Sequence, residues 1–438
     1  MPRHSDLPGP ATAQAVLISP PTQGTRLSEV TVIGAGIVGI TTALELQREG
    51  HRVTVVDPAP PGHGASFGNA GSLAPSSIIP MAMPGTLSQV PKWITNPLGP
   101  LTISWRELPA LLPWFRYFRR ACEPAQVERA ARALRSLNRE SVHAYQTLLA
   151  SVGAPDLVKR EGMLHVYRTE AGFNASAFAR KLRTDNEAPV EVLDADEIRR
   201  RAPALAPEYR WGFFLPDNGN VTNPGRVVEV LAADFVRNGG VIEKVAANGF
   251  RFSNGIVSHL ITTAGEIDVE NVVIAAGVSS KRLAAHLGSR IPIAPERGYH
   301  IQVPNPGVEL SGPVTDGEGR FVATPMEGGL RFAGTSEFRR ADAPPNWQRT
   351  DALATLGARM LPGVKVDGYS RWMGTRPSMP DSLAVIGRAP GYRNAYFAFG
   401  HGHWGLMAAP ATAQAMSDLL AKRAPRIDLT PFRPERFG

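Results

Sequence analysis

The sequence of 438 residues contains one cysteine, Cys122, and no long apolar run. A single cysteine excludes an internal disulfide and a cysteine-based metal or iron–sulfur cluster, and it is consistent with a reducing compartment. The longest uncharged stretch, 64–91, contains proline at four positions and therefore does not predict a membrane-spanning helix. Residues 1–27 lack the basic and apolar segments of a signal peptide and predict a loose N-terminal arm.

Clusters of one charge are also missing, although the formal net charge is +8. The basic residues are scattered, with no long Lys/Arg run and no zinc-finger or RNA-binding motif, so we expect no nucleic-acid partner. The excess of positive charge fits a carboxylate substrate or an anionic membrane. The length and the 43% hydrophobic content predict a globular protein of two domains.

The clearest motif present is a βαβ opening. VTVIGAG (30–36) has the pattern of a buried strand, a helical segment follows, and HRVTVVD (51–57) has the pattern of a second strand that ends on an acid. The glycine fingerprint allows a tight turn, close approach of a pyrophosphate and close helix–strand packing. The helix N-terminus would face the phosphates, and the acid would accept ribose hydroxyls. The residues predicted to bind a dinucleotide here are Gly34, Gly36, Ile37, Val38, Gly39 and Asp57.

Asp57 argues against a 2′-phosphate but does not distinguish NAD from FAD. Two later segments repeat the order strand, glycine turn, helix: NVVIAAGVSSKRLA (271–284), with Ala276 and Gly277 in its turn, and the stretch 394–421. A chain that returns to its nucleotide domain at its very end suits an extended cofactor such as FAD.

The intervening sequence predicts other elements. Helical spacing extends over 105–121 and 124–153, and 223–240 reads as a helix with Asn223 as its N-cap. Strands are predicted at 162–169 and in a hairpin over 249–270 that turns at Asn254-Gly255. Residues 291–375 predict short strands and loops.

Four further segments carry a family resemblance: SFGNAGSLAPSSIIPMAMPG (66–85), VPKWITNPLGPL (90–101), GTRPSMPDSLAVIG (374–387) and FGHGHWG (399–405). From about residue 29 to 422 the chain resembles the FAD-dependent D-amino-acid dehydrogenases of bacteria, within the wider family of D-amino-acid oxidase, glycine oxidase and sarcosine oxidase. The resemblance implies an α/β fold: a Rossmann-like FAD-binding domain plus a discontinuous α+β substrate domain, glutathione-reductase-like and of the D-amino-acid oxidase type.

The expected domain division follows that fold. The FAD-binding domain comprises 28–104, 205–290 and 375–438. The substrate-binding domain comprises 105–204 and 291–374.

The resemblance also implies roles for single residues. Ser66, Asn69, Ala70 and Gly71 would lie beside the flavin, and Val245 would present its backbone to the adenine. The turn Gly400, Gly402 and Gly405 would lie against the pyrimidine side of the flavin, where backbone N–H groups and a helix N-terminus stabilise the reduced anion.

Arg376, in the Arg-Pro pair, is the expected ligand for the substrate carboxylate, because a guanidinium holds a carboxylate bidentately. Tyr299 is a candidate second contact, with simple packing as the alternative. His401 and His403 are expected to be wall residues and hydrogen-bond donors rather than metal ligands, with a buried structural role as the alternative, and no metal site is expected. The pair His403-Trp404, where related proteins often carry a small residue, leaves the substrate preference open.

The activity implied is FAD-dependent oxidative deamination of D-amino acids, by hydride transfer from Cα to flavin N5, with electrons passed to a quinone or another non-oxygen acceptor. Substrates of the D-proline or hydroxyproline type remain open. Two alternatives remain: an oxidase of secondary or tertiary amines or N-methyl amino acids, and a non-catalytic flavoprotein recruited to membranes.

The segment 105–121 bears on localisation. Its leucines and phenylalanines fall at helical spacing beside Arg116, Arg119 and Arg120, with Trp105 and Trp114 suited to an interface. An amphipathic helix packed on its own domain is the competing interpretation. We expect a cytoplasmic protein and leave open an association with the inner face of the membrane.

Overall fold

The computed structural model describes residues 27–437. The predicted N-terminal arm therefore lies outside the described residues, except for Leu27. The strands are β1 (Glu29–Ile33), β2 (Arg52–Val56), β3 (Ser72–Leu73), β4 (Leu101–Ile103), β5 (Val158–Lys159), β6 (Met163–Tyr167), β7 (Glu191–Leu193), β8 (Trp211–Leu215), β9 (Gly219–Val221), β10 (Val241–Glu243), β11 (Ala247–Ser253), β12 (Ile256–Thr262), β13 (Gly265–Asp268), β14 (Asn271–Ile274), β15 (Ala294–Val303), β16 (Val314–Asp316), β17 (Phe321–Met326), β18 (Gly329–Phe338), β19 (Ser370–Ser378), β20 (Val385–Arg388) and β21 (Ala395–Phe399).

Helices connect and cover these strands. The α-helices are α1 (Ile37–Arg48), α2 (Thr86–Thr95), α3 (Leu108–Ala121), α4 (Pro124–Asn138), α5 (Ser141–Ser151), α6 (Glu170–Ala175), α7 (Ala177–Asp185), α8 (Ala195–Arg201), α9 (Pro224–Arg237), α10 (Ser280–His286), α11 (Gln348–Met360) and α12 (Gly405–Leu420). Single 3₁₀ turns span Trp105–Glu107, Pro155–Leu157, Gly277–Ser279, Thr430–Phe432 and Pro434–Phe437. No α-helix within 27–437 has the length and apolar character needed to cross a bilayer.

The nucleotide-type sheet has the order β10-β2-β1-β14-β21-β20, and its strands are parallel except β20. Successive side chains along these β-branched strands point to opposite faces of the sheet, so they pack into two different cores. Val32 and Val55 pack against α1, α9 and α12, whereas Ile33 and Val56 pack toward α10 and the small sheet β11-β12-β13. This layered arrangement confirms the predicted Rossmann-like α/β architecture.

The large sheet has the order β19-β15-β18-β17-β16-β6-β8-β7, with β4 also paired to β18. One of its faces packs against α11 through a core that includes Tyr299, Ile301 and Phe332. The opposite face carries Glu296 and His300, and it is turned toward the segment 66–71. The sheet therefore places polar side chains close to the loops of the nucleotide-type sheet.

Several predicted elements are confirmed. Asn223 caps α9 by accepting the N–H of Arg226, and the hairpin β11–β12 turns at Asn254 and Gly255, both at positive φ. The division of the chain into two domains stays a prediction. Strand β8, within the segment 205–290, pairs with β6 and β7 in the large sheet.

The helical prediction over 124–153 is confirmed by two helices, α4 and α5, with a turn at Arg139 and Glu140 between them. One prediction about elements is wrong. Residues 291–375 contain the long strands β15, β18 and most of β19, and also α11, rather than only short strands and loops. Polar residues buried on one face of the sheet, such as Glu296, obscure the alternation that would have revealed these strands.

Candidate active site

The predicted cofactor residues converge at one edge of the nucleotide-type sheet. Ile33 pairs with Val56 and with Ile274, and Ile274 pairs with Phe397, so the carboxyl ends of four parallel strands lie side by side. The turns that follow these strands therefore meet at the edge where open α/β sheets bind ligands. Val245, two residues beyond β10, belongs to the same edge, since Asp57 N–H donates to Glu243 O at 3.1 Å.

Two of the three glycines of the first turn have no space for a side chain. Gly34 has φ +115°, and a Cβ there would lie 2.4 Å from Ala275 O, while a Cβ on Gly39 would lie 1.8 Å from Gly34 O. Gly36 differs, because its nearest neighbour would be Ser66 Oγ at 3.3 Å. The strand, the turn and the helix are thus packed backbone to backbone, and the space beside Gly36 is left for a ligand at the N-terminus of α1.

Asp57 follows β2 and braces this turn. Its Oδ2 accepts the N–H of Ala35 at 2.8 Å and its Oδ1 accepts the N–H of Ala59 at 2.8 Å. Each carboxylate oxygen has a second lone pair, so the fixed carboxylate can still accept ribose hydroxyls. The turn, the helix N-terminus and the acid together fit an adenine dinucleotide.

The segment 66–71 is anchored from both sides. Ser66 Oγ accepts the N–H of Ile37 at 3.0 Å, and the Asn69 side chain binds Ser66 O and Gly71 N–H. From the large sheet, Arg331 Nη1 donates to Asn69 O at 2.7 Å. The segment, which includes Ala70, therefore connects the first glycine turn to the large sheet.

His300 holds the same segment. Its Nδ1 lies 2.7 Å from Gly68 O, and its ring stacks on Trp372, with ring centroids 5.1 Å apart. Burial, together with the nearby Arg331 charge, lowers the pKa of His300 to about 3, so the ring is neutral near pH 7.

The two later turns complete the edge. Ala275 N–H donates to Ile33 O at 2.8 Å, which places the Ala276-Gly277 turn beside the fingerprint. Gly400 and Gly402 have φ +78° and +53°, and Gly405 begins α12. Their left-handed backbone turns the chain sharply between β21 and α12, and it directs the N-terminus of α12 toward the same edge.

A cluster of charged side chains lies next to this last turn. Glu296, 2% exposed, receives three contacts on one oxygen, Oε1: Ser336 Oγ at 2.6 Å, Arg376 Nη1 at 3.2 Å and His403 Nε2 at 3.1 Å. Arg376 lies directly opposite Glu296 in the β15–β19 pair. The structure therefore brings Arg376 and His403, two of the predicted site residues, into contact with one carboxylate. Glu296 is not among the site residues predicted from the sequence.

The charge of Glu296 follows from these contacts. Burial alone would raise the pKa of this carboxyl, but His403, Arg376 and Ser336 more than offset that effect and hold the pKa well below its usual range. Glu296 is therefore a carboxylate at neutral pH.

Tyr299 is not part of this cluster, so its predicted contact with the substrate is not supported. Side chains alternate along β15, and Tyr299, 1% exposed, points to the face covered by α11. Its hydroxyl contacts Glu337 Oε2 and accepts the N–H of Asn346. This position agrees with the packing alternative, and a contact with the substrate stays a prediction.

His401 is also buried, at 5% exposure, and its Nε2 lies 3.0 Å from Thr412 Oγ1 within α12. Burial lowers the pKa of His401 to about 4, so it is neutral near pH 7. The structural alternative therefore describes His401, whereas His403 faces Glu296. Within residues 27–437, no three His, Cys, Asp or Glu side chains are grouped to hold a metal ion.

Sequence reasoning missed Glu296, Ser336, His300, Trp372 and Arg331. One signal was available: Glu296 and His300 stand in the strand APERGYHIQV at a spacing that places both on one face. Polar residues at alternate positions of a buried strand indicate a polar site facing it.

Comparison with known proteins agrees with this geometry. The family model described as "FAD dependent oxidoreductase" matches residues 29–419. A "D-amino-acid oxidase" of Bradyrhizobium diazoefficiens is 38% identical over 415 residues, covering 93% of this chain and 98% of that protein. A "D-amino acid dehydrogenase" of Paramagnetospirillum magneticum is 32% identical, covering 93% and 99%.

Solved structures share the fold. Glycine oxidase from Geobacillus kaustophilus superposes with a TM-score of 0.73 at 21% identity, covering 93% of this chain and 98% of that one. L-proline dehydrogenase from P. horikoshii superposes with a TM-score of 0.72 at 20% identity, covering 94% and 98%. With the family match over most of its length and the dinucleotide edge described above, the chain belongs to the FAD-dependent oxidoreductase family that includes the D-amino-acid oxidases.

Proposed function

We propose that this protein catalyses the oxidative deamination of D-amino acids. The observation that carries the proposal is the placement of Arg376 beside the Gly400–Gly405 turn, at the edge that fits the dinucleotide. The relatives named D-amino-acid oxidase and D-amino acid dehydrogenase, at 38% and 32% identity, support the same substrate class.

Arg376 serves as the carboxylate clamp. Its Nη1 is held by Glu296, and its side chain is 23% exposed, so the rest of the guanidinium remains available to a ligand. A carboxylate on that edge is fixed in a planar, bidentate arrangement. Fixing the carboxylate also fixes Cα, which is the contribution that positioning makes to catalysis.

FAD, when bound, supplies the acceptor for the hydride that leaves Cα, and the resulting imino acid is hydrolysed by water. The chain needs no strong base for this step, provided that the substrate amine is neutral when it reacts. The residues proposed to hold FAD are Gly34, Gly36, Ile37, Val38, Gly39, Asp57, Ser66, Asn69, Ala70, Gly71, Val245, Ala276, Gly277, Gly400, Gly402 and Gly405.

The proposed electron acceptor is a quinone or another non-oxygen acceptor. Support comes from the relatives named D-amino acid dehydrogenase. In the test, purified holoprotein is titrated anaerobically with D- and L-amino acids, prolines and N-methyl amino acids while the flavin absorbance is followed. Reoxidation is then compared with a quinone analogue and with oxygen.

Bleaching of the flavin by D-amino acids and faster reoxidation by the quinone are expected. Bleaching only by secondary amines would favour the amine-oxidase alternative. A flavin that stays oxidised with every substrate would favour a non-catalytic flavoprotein.

Peripheral contact with a membrane through 105–121 is part of the proposal. Leu111, Trp114 and Phe118 are buried against the chain's own core, so that stripe of α3 follows the packing interpretation. Leu112 is 65% exposed, however, and Trp105, just before the helix, is 72% exposed. Together with nearby arginines these side chains suit an anionic lipid surface.

A further inference from the structure

The carboxylate of Glu296 has one oxygen that its neighbours do not use. All three contacts, from Ser336, Arg376 and His403, end on Oε1, and no hydrogen bond formed within residues 27–437 ends on Oε2. An ionised carboxylate accepts about four hydrogen bonds in total. An unused oxygen of an ionised carboxylate beside Arg376 is an acceptor available to a ligand.

An α-amino acid carries its ammonium group one carbon away from its carboxylate. When the carboxylate occupies the open edge of Arg376, the amino group lies within a few bond lengths of that guanidinium. Glu296 is in direct contact with Arg376, at 3.2 Å, and it lies opposite it in the sheet. A ligand of this kind therefore has its positive group close to the carboxylate of Glu296.

We propose that Glu296 binds the substrate's α-ammonium group before that group loses its proton to water and the hydride leaves Cα, so that Glu296 and Arg376 together recognise the zwitterion of an amino acid. This inference rests on the proposed function, since it requires the substrate carboxylate on Arg376. It goes further by assigning a residue to the amino group and by predicting discrimination against carboxylates that lack one.

A carboxylate that only positions Arg376 would behave differently. If Glu296 served only to aim the guanidinium, its loss would weaken every carboxylate ligand in the same direction. If it binds the ammonium, its loss weakens the zwitterion but strengthens a plain carboxylate, which no longer meets a neighbouring negative charge. The two roles therefore predict opposite changes in the affinity for a plain carboxylate when Glu296 is lost.

Glu337 is a matched control. It is 3% exposed, it lies in the same sheet and it pairs with Arg297 at 3.4 Å, but on the face covered by α11. Glu337→Gln removes the charge of a buried carboxylate that is paired with a buried arginine. It does not alter the face of the sheet that carries Arg376.

The probes are 2-aminoisobutyrate and isobutyrate. Both have the same carbon skeleton, only the first has an amino group, and the first has no α-hydrogen and so cannot lose a hydride. Binding of each to the FAD-loaded protein is measured by calorimetry at pH 7, in the wild type, Glu296→Gln and Glu337→Gln. This readout does not depend on turnover.

The wild type should bind 2-aminoisobutyrate at least about tenfold more tightly than isobutyrate, a difference of about 1.4 kcal/mol. Glu296→Gln should bring the ratio of the two dissociation constants close to one and strengthen isobutyrate binding, whereas Glu337→Gln should preserve the wild-type ratio. An unchanged ratio in Glu296→Gln, or equal weakening of both ligands, overturns the inference. If Glu296→Gln does not fold, equal affinity of the wild type for the two probes overturns it, and a tenfold preference supports it.

Failure of the proposed function can be distinguished from failure of the role proposed for Glu296. In that case no D-amino acid bleaches the flavin, whatever the ratio of the two probes. If the proposed function is right and the role of Glu296 is wrong, D-amino acids bleach the flavin, and the ratio of the two dissociation constants is the same in the wild type and in Glu296→Gln.

Discussion

His403 Nε2 and Glu296 Oε1 lie 3.1 Å apart, although one residue is on the turn before α12 and the other is on β15 of the large sheet. The contact joins the last turn of the nucleotide-type sheet to the sheet that carries Arg376. Arg376, the proposed carboxylate clamp, and the turn before α12 are therefore linked through the carboxylate of Glu296.

Arg376→Ala should lower kcat/KM for D-amino acids by roughly thirty- to several-thousand-fold, because an unpaired substrate carboxylate costs about 2–5 kcal/mol. Arg376→Lys should recover only part of the loss, since a point charge does not hold both oxygens. Steady-state kinetics with a dye acceptor measures both.

Arg371→Ala is the matched control, because Arg371 is on the same strand, is exposed and pairs with Asp351 at 2.8 Å. It should retain wild-type kinetics, and flavin content should be normal in all three variants. Wild-type efficiency in Arg376→Ala would refute the clamp and favour the amine-oxidase alternative.

Gly36→Val should purify with little or no flavin. A Cβ at this position would meet only Ser66 Oγ at 3.3 Å, so the protein can fold, but the branched side chain would fill the space next to the helix N-terminus that the pyrophosphate needs. The ratio of absorbance at the flavin band to protein absorbance measures occupancy.

Gly64→Ala provides the comparison, because a Cβ there would have no neighbour within 4 Å. It should keep full flavin. Full occupancy in Gly36→Val would contradict the assignment of this turn to the cofactor.

Stability should fall as the pH drops from about 6.5 to 4, in part because of His401. Burial lowers its pKa from 6.5 to about 4, so the unfolded state binds the proton first and the native state loses stability throughout that window. The loss from this group is at most about 1.4 kcal/mol per pH unit. Above pH 6.5 its contribution is complete.

Urea denaturation at a series of pH values tests this effect. His401→Gln should show a shallower decline of the unfolding free energy than the wild type, whereas His143→Gln, at an exposed position on α5, should not. Parallel declines in wild type and His401→Gln would show that His401 is not the titrating group.

Leu112→Gln should weaken sedimentation with anionic vesicles at low salt by about tenfold, because the exposed leucine would lose the transfer free energy of an apolar side chain. Val192→Gln, also exposed at 62% but on β7, should sediment like the wild type. If the wild type does not bind vesicles at any salt concentration, the exposed face of α3 does not contact membranes.

The large sheet and the α4–α5 pair show what a local pattern does not contain. Apolar spacing continues across Arg139 and Glu140, so it does not reveal the turn between α4 and α5 at these two residues. In β15, the buried Glu296 and His300 break the expected pattern, because their burial is compensated by partners on other strands and loops.

The sequence by itself determined the dinucleotide edge of this protein. Gly39 and Asp57 act through contacts within one βαβ unit, so their spacing along the chain already fixes their geometry. Only the tertiary structure decided the side that is proposed to bind the substrate. It brought Glu296, Arg376 and His403 together from three distant segments, because the pairing of β15 with β19 and the contact of the large sheet with the turn before α12 join residues that are far apart in the chain.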